Sequence, residues 1–397
     1  MANPAVQDWA TDYDIFDPAY VADPFAIWDD LRDRCPVAHT ERWEGSWLPT
    51  RYEDVCALAR DVAHFSSRDI VVAPHDNESQ YGAVGSPPIS SDPPVHTWAR
   101  RLILPAFAPR AVEAREPSTR ALCRSLIDGF IDKGRADAAE GYAQQIPVRV
   151  IANMLGVDPE MSDTFTGWVR GILEFGLTDP EIHRQNRDAA LHFLMGQLED
   201  RKSHPGDDLI SFLLTQEVDG RPVPDAHILG TCGLVLVAGV DTTWSSIGSA
   251  LWHLATHTED RKRLVAEPSL LPAAIEELLR AYSPVTMARF VTEDTTYGDV
   301  VMRAGDRLLM SFPAANRDPR AFPDADQVII DREINRHVAF GVGIHRCAGS
   351  NLARMELRVA LEEWLDRIPE FKLEDPDAVT WAGGQVRGPR QLPVVFP

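Results

Sequence analysis

The sequence predicts a mainly α-helical fold with a small β-rich region, organised as one domain over residues 1–397. Three observations predict it. A helical pattern with no internal proline runs from Pro224 to about His257; at 1.5 Å per residue it would span roughly 50 Å, enough to cross a whole domain. Glu113 to Ser203 reads as several further amphipathic helices, with breaks at Gly134, Gly156–Pro159 and Asp179–Pro180. No linker rich in glycine, serine or charge cuts the chain.

The elements follow in order. A helix pattern covers Pro24 to Arg34, with proline at its start. Strand-like pieces lie at Pro36–His39 and Ser46–Thr50, and a short helix pattern covers Arg51–Arg60. Ser66 to Pro94 holds five prolines and little periodicity; a connection of that length is usually functional or mobile. His96 and Arg100 are four apart and share one helical face. After the long helix comes Leu271-PAAIEELLRAYSP, in which Glu277 and Arg280 have ion-pair spacing. Val285–Arg289 leads into strand-like sequence, and GGQVRGPRQLPVVF reads as a terminal hairpin. An apolar-periodic helix follows residue 349, with Leu352, Met355, Ala360, Trp364 and Ile368 on or near one face.

Composition excludes several classes. Of 397 residues, 44% are hydrophobic and 25% charged, as in an ordinary globular protein. A formal net charge of −21 argues against nucleic-acid or anionic-membrane binding, which want basic surface. The first twenty residues lack the basic and apolar regions of a signal peptide, and no uninterrupted apolar run reaches membrane-spanning length. A cytoplasmic location is expected. The five cysteines (35, 56, 123, 232 and 347) are scattered, which suits neither a disulfide framework nor a zinc site.

Two stretches carry chemistry. FGVGIHRCAG, Phe340 to Gly349, sets one cysteine behind two glycines that let backbone approach something bulky. A thiol at the mouth of a helix meets the positive end of its dipole, which favours thiolate, the form that ligates iron. The middle of the long helix reads Ala238-Gly-Val-Asp-Thr-Thr243. Glycine and threonine are poor choices there, Thr242 can bond back to the Ala238 carbonyl and bend the helix, and Asp241 has no obvious partner. Local conflicts of this kind often mark function.

Phe-Gly-x-Gly-x-His-x-Cys-x-Gly fixes six residue types at set spacings and resembles the haem-thiolate loop of the cytochrome P450 superfamily, soluble bacterial type. The other motifs fall in that family's order, and the likeness runs from about residue 24 to the end. The C-terminal third also resembles haem domains of self-sufficient members. The resemblance implies a helical domain with a small β-rich region around a buried haem b (iron protoporphyrin IX). Cys347 would be the iron ligand, with Phe340 and Gly349 beside the sulfur. His96, Arg100, Arg289 and His345 would hold the propionates. Asp241 and Thr242 would be the catalytic pair that relays protons to bound dioxygen. Glu277 and Arg280, joined by Arg332, would lock the fold behind the haem. Leu234, Val235, Ala238, Val285, Thr286, Met287 and Ala288 would line the substrate pocket, roofed by two helices over Met161–Leu198 that bring Trp168, Ile172, Phe175 and Leu177 near it.

The reaction so implied is monooxygenation of an apolar or aromatic small molecule by O₂. No nucleotide fingerprint opens a helix after a strand. Electrons from NAD(P)H would therefore come through a ferredoxin and ferredoxin reductase, or through a reductase fused in a longer parent chain. A peroxide-driven peroxygenase would lack use for the acid–alcohol pair, as would a non-catalytic haem-binding protein. A thiol hydrolase built on Cys347 and His345 would need an orienting Asn or Asp that is not evident.

Overall fold

Caps and prolines set where the helices begin. The computed structural model describes residues 4–75 and 84–397, so part of the expected Ser66–Pro94 loop, 76–83, lies outside the described residues. The principal helices are α1 (Phe25–Arg34), α2 (Tyr52–Arg60), α3 (Val95–Ile103), α4 (Glu116–Asp128), α5 (Gln145–Leu155), α6 (Ser162–Leu173), α7 (Pro180–Ser203), α8 (Asp225–Thr256), α9 (Leu271–Ala281) and α10 (Ser350–Arg367). Asp179 caps α7 by accepting from the N–H groups of Glu181 and Ile182, ahead of Pro180 at its first position. Helix α5 stops at Gly156, whose φ of 69° is the left-handed geometry that releases a helix C-terminus.

Besides two small two-stranded hairpins (Glu217–Val218 with Arg221–Pro222, and Thr295–Tyr297 with Val300–Met302), the strands are β1 (Val37–Thr40), β2 (Ser46–Pro49), β3 (Phe65–Ser66), β4 (Arg135–Asp137), β5 (Thr286–Val291), β6 (Arg307–Ser311), β7 (Lys372–Leu373), β8 (Thr380–Ala382), β9 (Gly388–Gln391) and β10 (Pro393–Val395). One sheet has the order β1-β2-β6-β5-β3, with β6 parallel to β2 and antiparallel to β5. The terminal hairpin differs from the expected one. Its first strand, β8, precedes the glycines, and 383–387 form the turn to β9. Strand β10 leaves the hairpin to pair with β4 and β7. Three residues are too few for a local pattern, so β4 is invisible in a stretch that otherwise reads as helix.

Helix α8 organises the interior. By length and mean hydropathy it could cross a membrane, although Asp241 and several Ser and Thr interrupt its apolar run. It is a core helix: Leu236, Val240, Trp244, Ile247, Leu251 and Leu254 belong to the largest apolar cluster, where α8 packs against α5 and α10. Behind α10, Glu277 is fully buried and accepts from Arg280 Nε and Nη2 at 2.8 Å each and from Arg332 Nε at 3.0 Å. Arg280 also donates to the carbonyls of Asn316 and Ala325. Every polar atom of this lock that could be left unpaired has a partner, and that is the condition under which a buried ion pair is tolerated.

Candidate active site

The cysteine loop is shaped by its glycines. Cys347 N–H donates to the Phe340 carbonyl at 2.8 Å and closes the loop, while Gly341 and Gly343 have φ of 66° and 71°. A Cβ on Gly343 would also lie 3.3 Å from the Ala59 carbonyl oxygen. Phe340 is half-buried and stacks its ring under the Arg354 guanidinium at 4.4 Å. Gly349 is the N-cap of α10, and a Cβ built on it would stand 3.9 Å from Cys347 Sγ.

The Cys347 side chain is exposed, yet protein is dense around it, so desolvation is the largest influence on the thiol and pushes its pKa up. The Gly349 N–H, Arg100, Arg346 and Arg354 act the other way without overcoming it. The Gly349 N–H at the mouth of α10 thus acts in the direction expected of a helix N-terminus, against the desolvation.

Next to the cysteine, four basic side chains from three places in the chain converge. His96 and His345 have ring centroids 4.3 Å apart. Burial lowers the His345 pKa to about 3, and the charges of Arg289, His96 and Arg100 push it the same way. Arg289 is pulled down to about 10 by burial. Burial and Arg100 likewise lower His96, and burial lowers Arg100. Among the described residues none of the four forms an ion pair. The Nε2 atoms of His96 and His345 are buried without a partner, and Arg289 donates only to its neighbour's carbonyl. Asp92 is near enough to influence Arg289 and His96, but its carboxylate accepts from Ser66 and Ser67. A buried and a half-buried guanidinium with two orphaned imidazole nitrogens fit a ligand edge bearing two carboxylates beside a thiol-binding metal.

On α8, Leu234, Ala238 and Thr242 follow at four-residue spacing, and each is half-buried where the flanking Leu236, Val240, Asp241 and Thr243 are buried. The core helix therefore presents one open stripe. Thr242 Oγ1 donates to the Ala238 carbonyl at 2.8 Å, the back-bond anticipated from the sequence. Val235 falls off the stripe and sits in the main apolar cluster. On β5 and at Val285 just before it, the alternation of extended side chains divides the four expected pocket residues. Val285 and Met287 share a face with Arg289, whereas Thr286 and Ala288 point the other way, and Ala288 is buried in the N-terminal cluster. Of the expected roof residues, Trp168 packs on Phe165 and Phe193, Ile172 is buried in the main cluster, Leu177 is buried in the N-terminal cluster, and Phe175 is exposed under Arg170.

Asp241 is fully buried and has partners that local sequence reasoning missed. Arg390 Nη2 lies 2.8 Å from Oδ1 and donates to Oδ2 at 3.0 Å, and Ser245 Oγ donates to Oδ1 at 3.3 Å. Arg390 Nε also donates to Glu174 at 3.0 Å, and Glu174 is chelated by Arg170. A signal was available: an arginine beside Gly388 and Pro389, which suit close packing, needs an acid if it points inward.

A family model described as Cytochrome P450 matches residues 175–380. The chain is 36% identical to the mycinamicin IV hydroxylase/epoxidase of Micromonospora griseorubida, over 92% of this chain and 94% of that protein. It is 34% identical to the vitamin D(3) 25-hydroxylase of Pseudonocardia autotrophica, over 97% and 96%. The solved structure of cytochrome P450 PksS, from the bacillaene polyketide synthase of Bacillus subtilis 168, superposes with a TM-score of 0.88 at 30% identity, covering 97% of this chain and 99% of that one. A cysteine loop beside two guanidiniums and two imidazoles without acidic partners, a helical fold around one long core helix, and near-full-length likeness at this level place the chain in the cytochrome P450 family, as a monooxygenase whose cofactor is a thiolate-ligated haem.

Proposed function

We propose that this chain, as one haem domain over 1–397, inserts one oxygen atom of O₂ into an apolar or aromatic small molecule and releases the other as water. The balance requires two electrons and two protons per turnover. The electrons are assigned to NAD(P)H through a ferredoxin and its reductase, or through a reductase fused in a longer parent chain, in the cytoplasm. When bound, the haem supplies reductive activation of dioxygen and the oxidising power to attack the substrate.

The observation that carries the reading is the succession, in the middle of α8, of a fully buried acid and a hydroxyl on the open stripe. A carrier has no use for a dry acid at that place. Cys347 is assigned as the iron ligand, with Phe340 and Gly349 closing the loop around it. His96, Arg100, Arg289 and His345 are assigned to the propionates. Asp241 holds a proton where bulk water is excluded, and Thr242 presents its hydroxyl on the stripe, so protons arrive without flooding the site. The stripe of Leu234 and Ala238, with Val285 and with Met287 of β5, is apolar and supports an apolar substrate. The relatives named above are called hydroxylases of mycinamicin IV and vitamin D(3), which supports a sizeable organic molecule.

Two expected results test the assignments. Replacing both Arg100 and Arg289 by leucine leaves two carboxylates short of charged partners, at a cost of about 2–5 kcal/mol for each buried charge left unpaired. The double variant is expected to purify largely without haem, read as the ratio of haem to protein absorbance; full occupancy would move the propionates elsewhere. Thr242→Ala deletes the hydroxyl while leaving the thiol and the apolar stripe in place. Substrate is expected to bind as before, judged by the spectral shift of the resting protein. NAD(P)H consumption is expected to continue, with most electrons recovered as hydrogen peroxide. Unchanged product per NAD(P)H would remove Thr242 from proton delivery.

A further inference from the structure

Asp241 is held from outside its own helix. Strand β9 crosses α8 so closely that small residues are needed on both sides. A Cβ on Gly388 would lie 2.3 Å from Ser245 Cβ, and one on Gly248 would lie 2.8 Å from Pro389 Cγ. This contact fixes the strand's register on the helix. Arg390, two residues beyond Gly388 and so on the same strand face, then arrives at Asp241. Its guanidinium is fully spent: Nη2 on Asp241, Nη1 on Ser245 Oγ at 3.1 Å and Nε on Glu174 at 3.0 Å. The group stacks on Trp244 with 4.2 Å to the ring centroid, which leaves it little freedom to swing.

Glu174 comes from elsewhere again. It is the C-cap of α6, in non-helical geometry, and is 16% exposed where Asp241 is fully buried. Two carboxylates from two elements thus meet one guanidinium from a third. We propose that Arg390 is the positioning residue of Asp241, fixing the orientation of the acid beside Thr242 and dividing one positive charge between it and Glu174. The inference rests on the reading of Asp241 as a proton donor.

The groups that face Asp241 are Arg390 from β9, Ser245 from α8, and Glu174 and Arg170 from α6 and its end, with Glu140 acting on Arg170. Burial pushes the Asp241 pKa up, Arg390 pulls it down and Glu174 raises it. Removal of Arg390 leaves burial and Glu174 unopposed, so the acid stays protonated to higher pH. Neutralising Glu174 removes the competing carboxylate, so the acid ionises at lower pH. The two changes act in opposite directions, which loss of packing cannot imitate.

The test uses haem-loaded protein. Infrared difference spectra across pH follow the protonated carboxyl band that is lost in Asp241→Asn, and the pH profile of product formation is recorded in parallel. Arg390→Gln is expected to raise the midpoint by about one pH unit or more, the scale of one opposite charge at contact distance. Glu174→Gln is expected to lower it, and Arg390→Lys, which keeps the charge without the fork, to fall between wild type and Arg390→Gln. Should Arg390→Gln fail to fold, Glu174→Gln and Arg390→Lys carry the test. Stationary midpoints, or shifts of the same sign in the Arg390 and Glu174 variants, would overturn the role of Arg390. Full turnover in Asp241→Asn would instead overturn the proton-donor reading, while the infrared midpoints still decide whether Arg390 governs the acid.

Discussion

Cys347→Ala is expected to abolish thiolate ligation and all monooxygenase turnover. Ligation by sulfur needs a side chain that can ionise against the metal, and the other cysteines cannot substitute. Cys56, Cys123 and Cys232 are buried at other places in the fold, and burial pushes the Cys123 and Cys232 thiols up to about 12. Cys35 is half-buried at the C-cap of α1. The loop itself should survive, because its closure depends on the Cys347 N–H and on the conformations of Gly341 and Gly343, which alanine at 347 leaves alone. The measurement is the absorption spectrum of reduced protein under carbon monoxide, beside product formation. Cys347→Ser is expected to fold and to give an altered spectrum. A retained thiolate-type spectrum in the alanine variant would assign the ligand to another residue.

Asp241→Asn is expected to lower turnover by about 10²–10⁴-fold, the range for a lost general acid, or roughly 3–5 kcal/mol on the barrier. Asparagine keeps the shape and can still accept from Ser245, while Arg390 retains Glu174 as a counter-charge, so the core has no reason to open. What it cannot do is hold and release a proton. Substrate-induced spectral shift and haem content should match the parent protein, and the solvent hydrogen–deuterium isotope effect on turnover should rise. Equal turnover of the two proteins would assign proton supply to another route. The outcome differs in kind from Thr242→Ala, where electrons continue to flow but leave as peroxide.

The parts of this protein that depend on local spacing were set by the sequence alone. Glycines at 341 and 343 impose a loop that only positive φ can make, whatever packs around it. The start of α8 and the capped start of α7 follow from Pro224 and from the Asp179–Pro180 pair, because capping and proline effects act within one turn. Thr242 bonds back to Ala238 for the same reason: donor and acceptor are four residues apart on one helix. The spacing of Glu277 and Arg280 on one turn was legible as an ion pair, whereas Arg332 was expected only from the family resemblance.

Only the tertiary structure decided what depends on long-range contact. No periodicity links Asp241 to Arg390, which lie 149 residues apart, and their meeting requires β9 to rest on α8 through Gly388 and Gly248. Strand direction, which residue composition does not give, separated Val285 and Met287 from Thr286 and Ala288. At Cys347 the Gly349 N–H that favours ionisation is local to the mouth of α10, whereas Arg100 and the desolvation that opposes them come from the surrounding fold. Likewise α8 carries the hydropathy of a membrane span, and it is the packing of α5 and α10 against it that makes it a core helix. Short-range geometry is written into neighbouring residues; desolvation and charge pairing are properties of the completed interior.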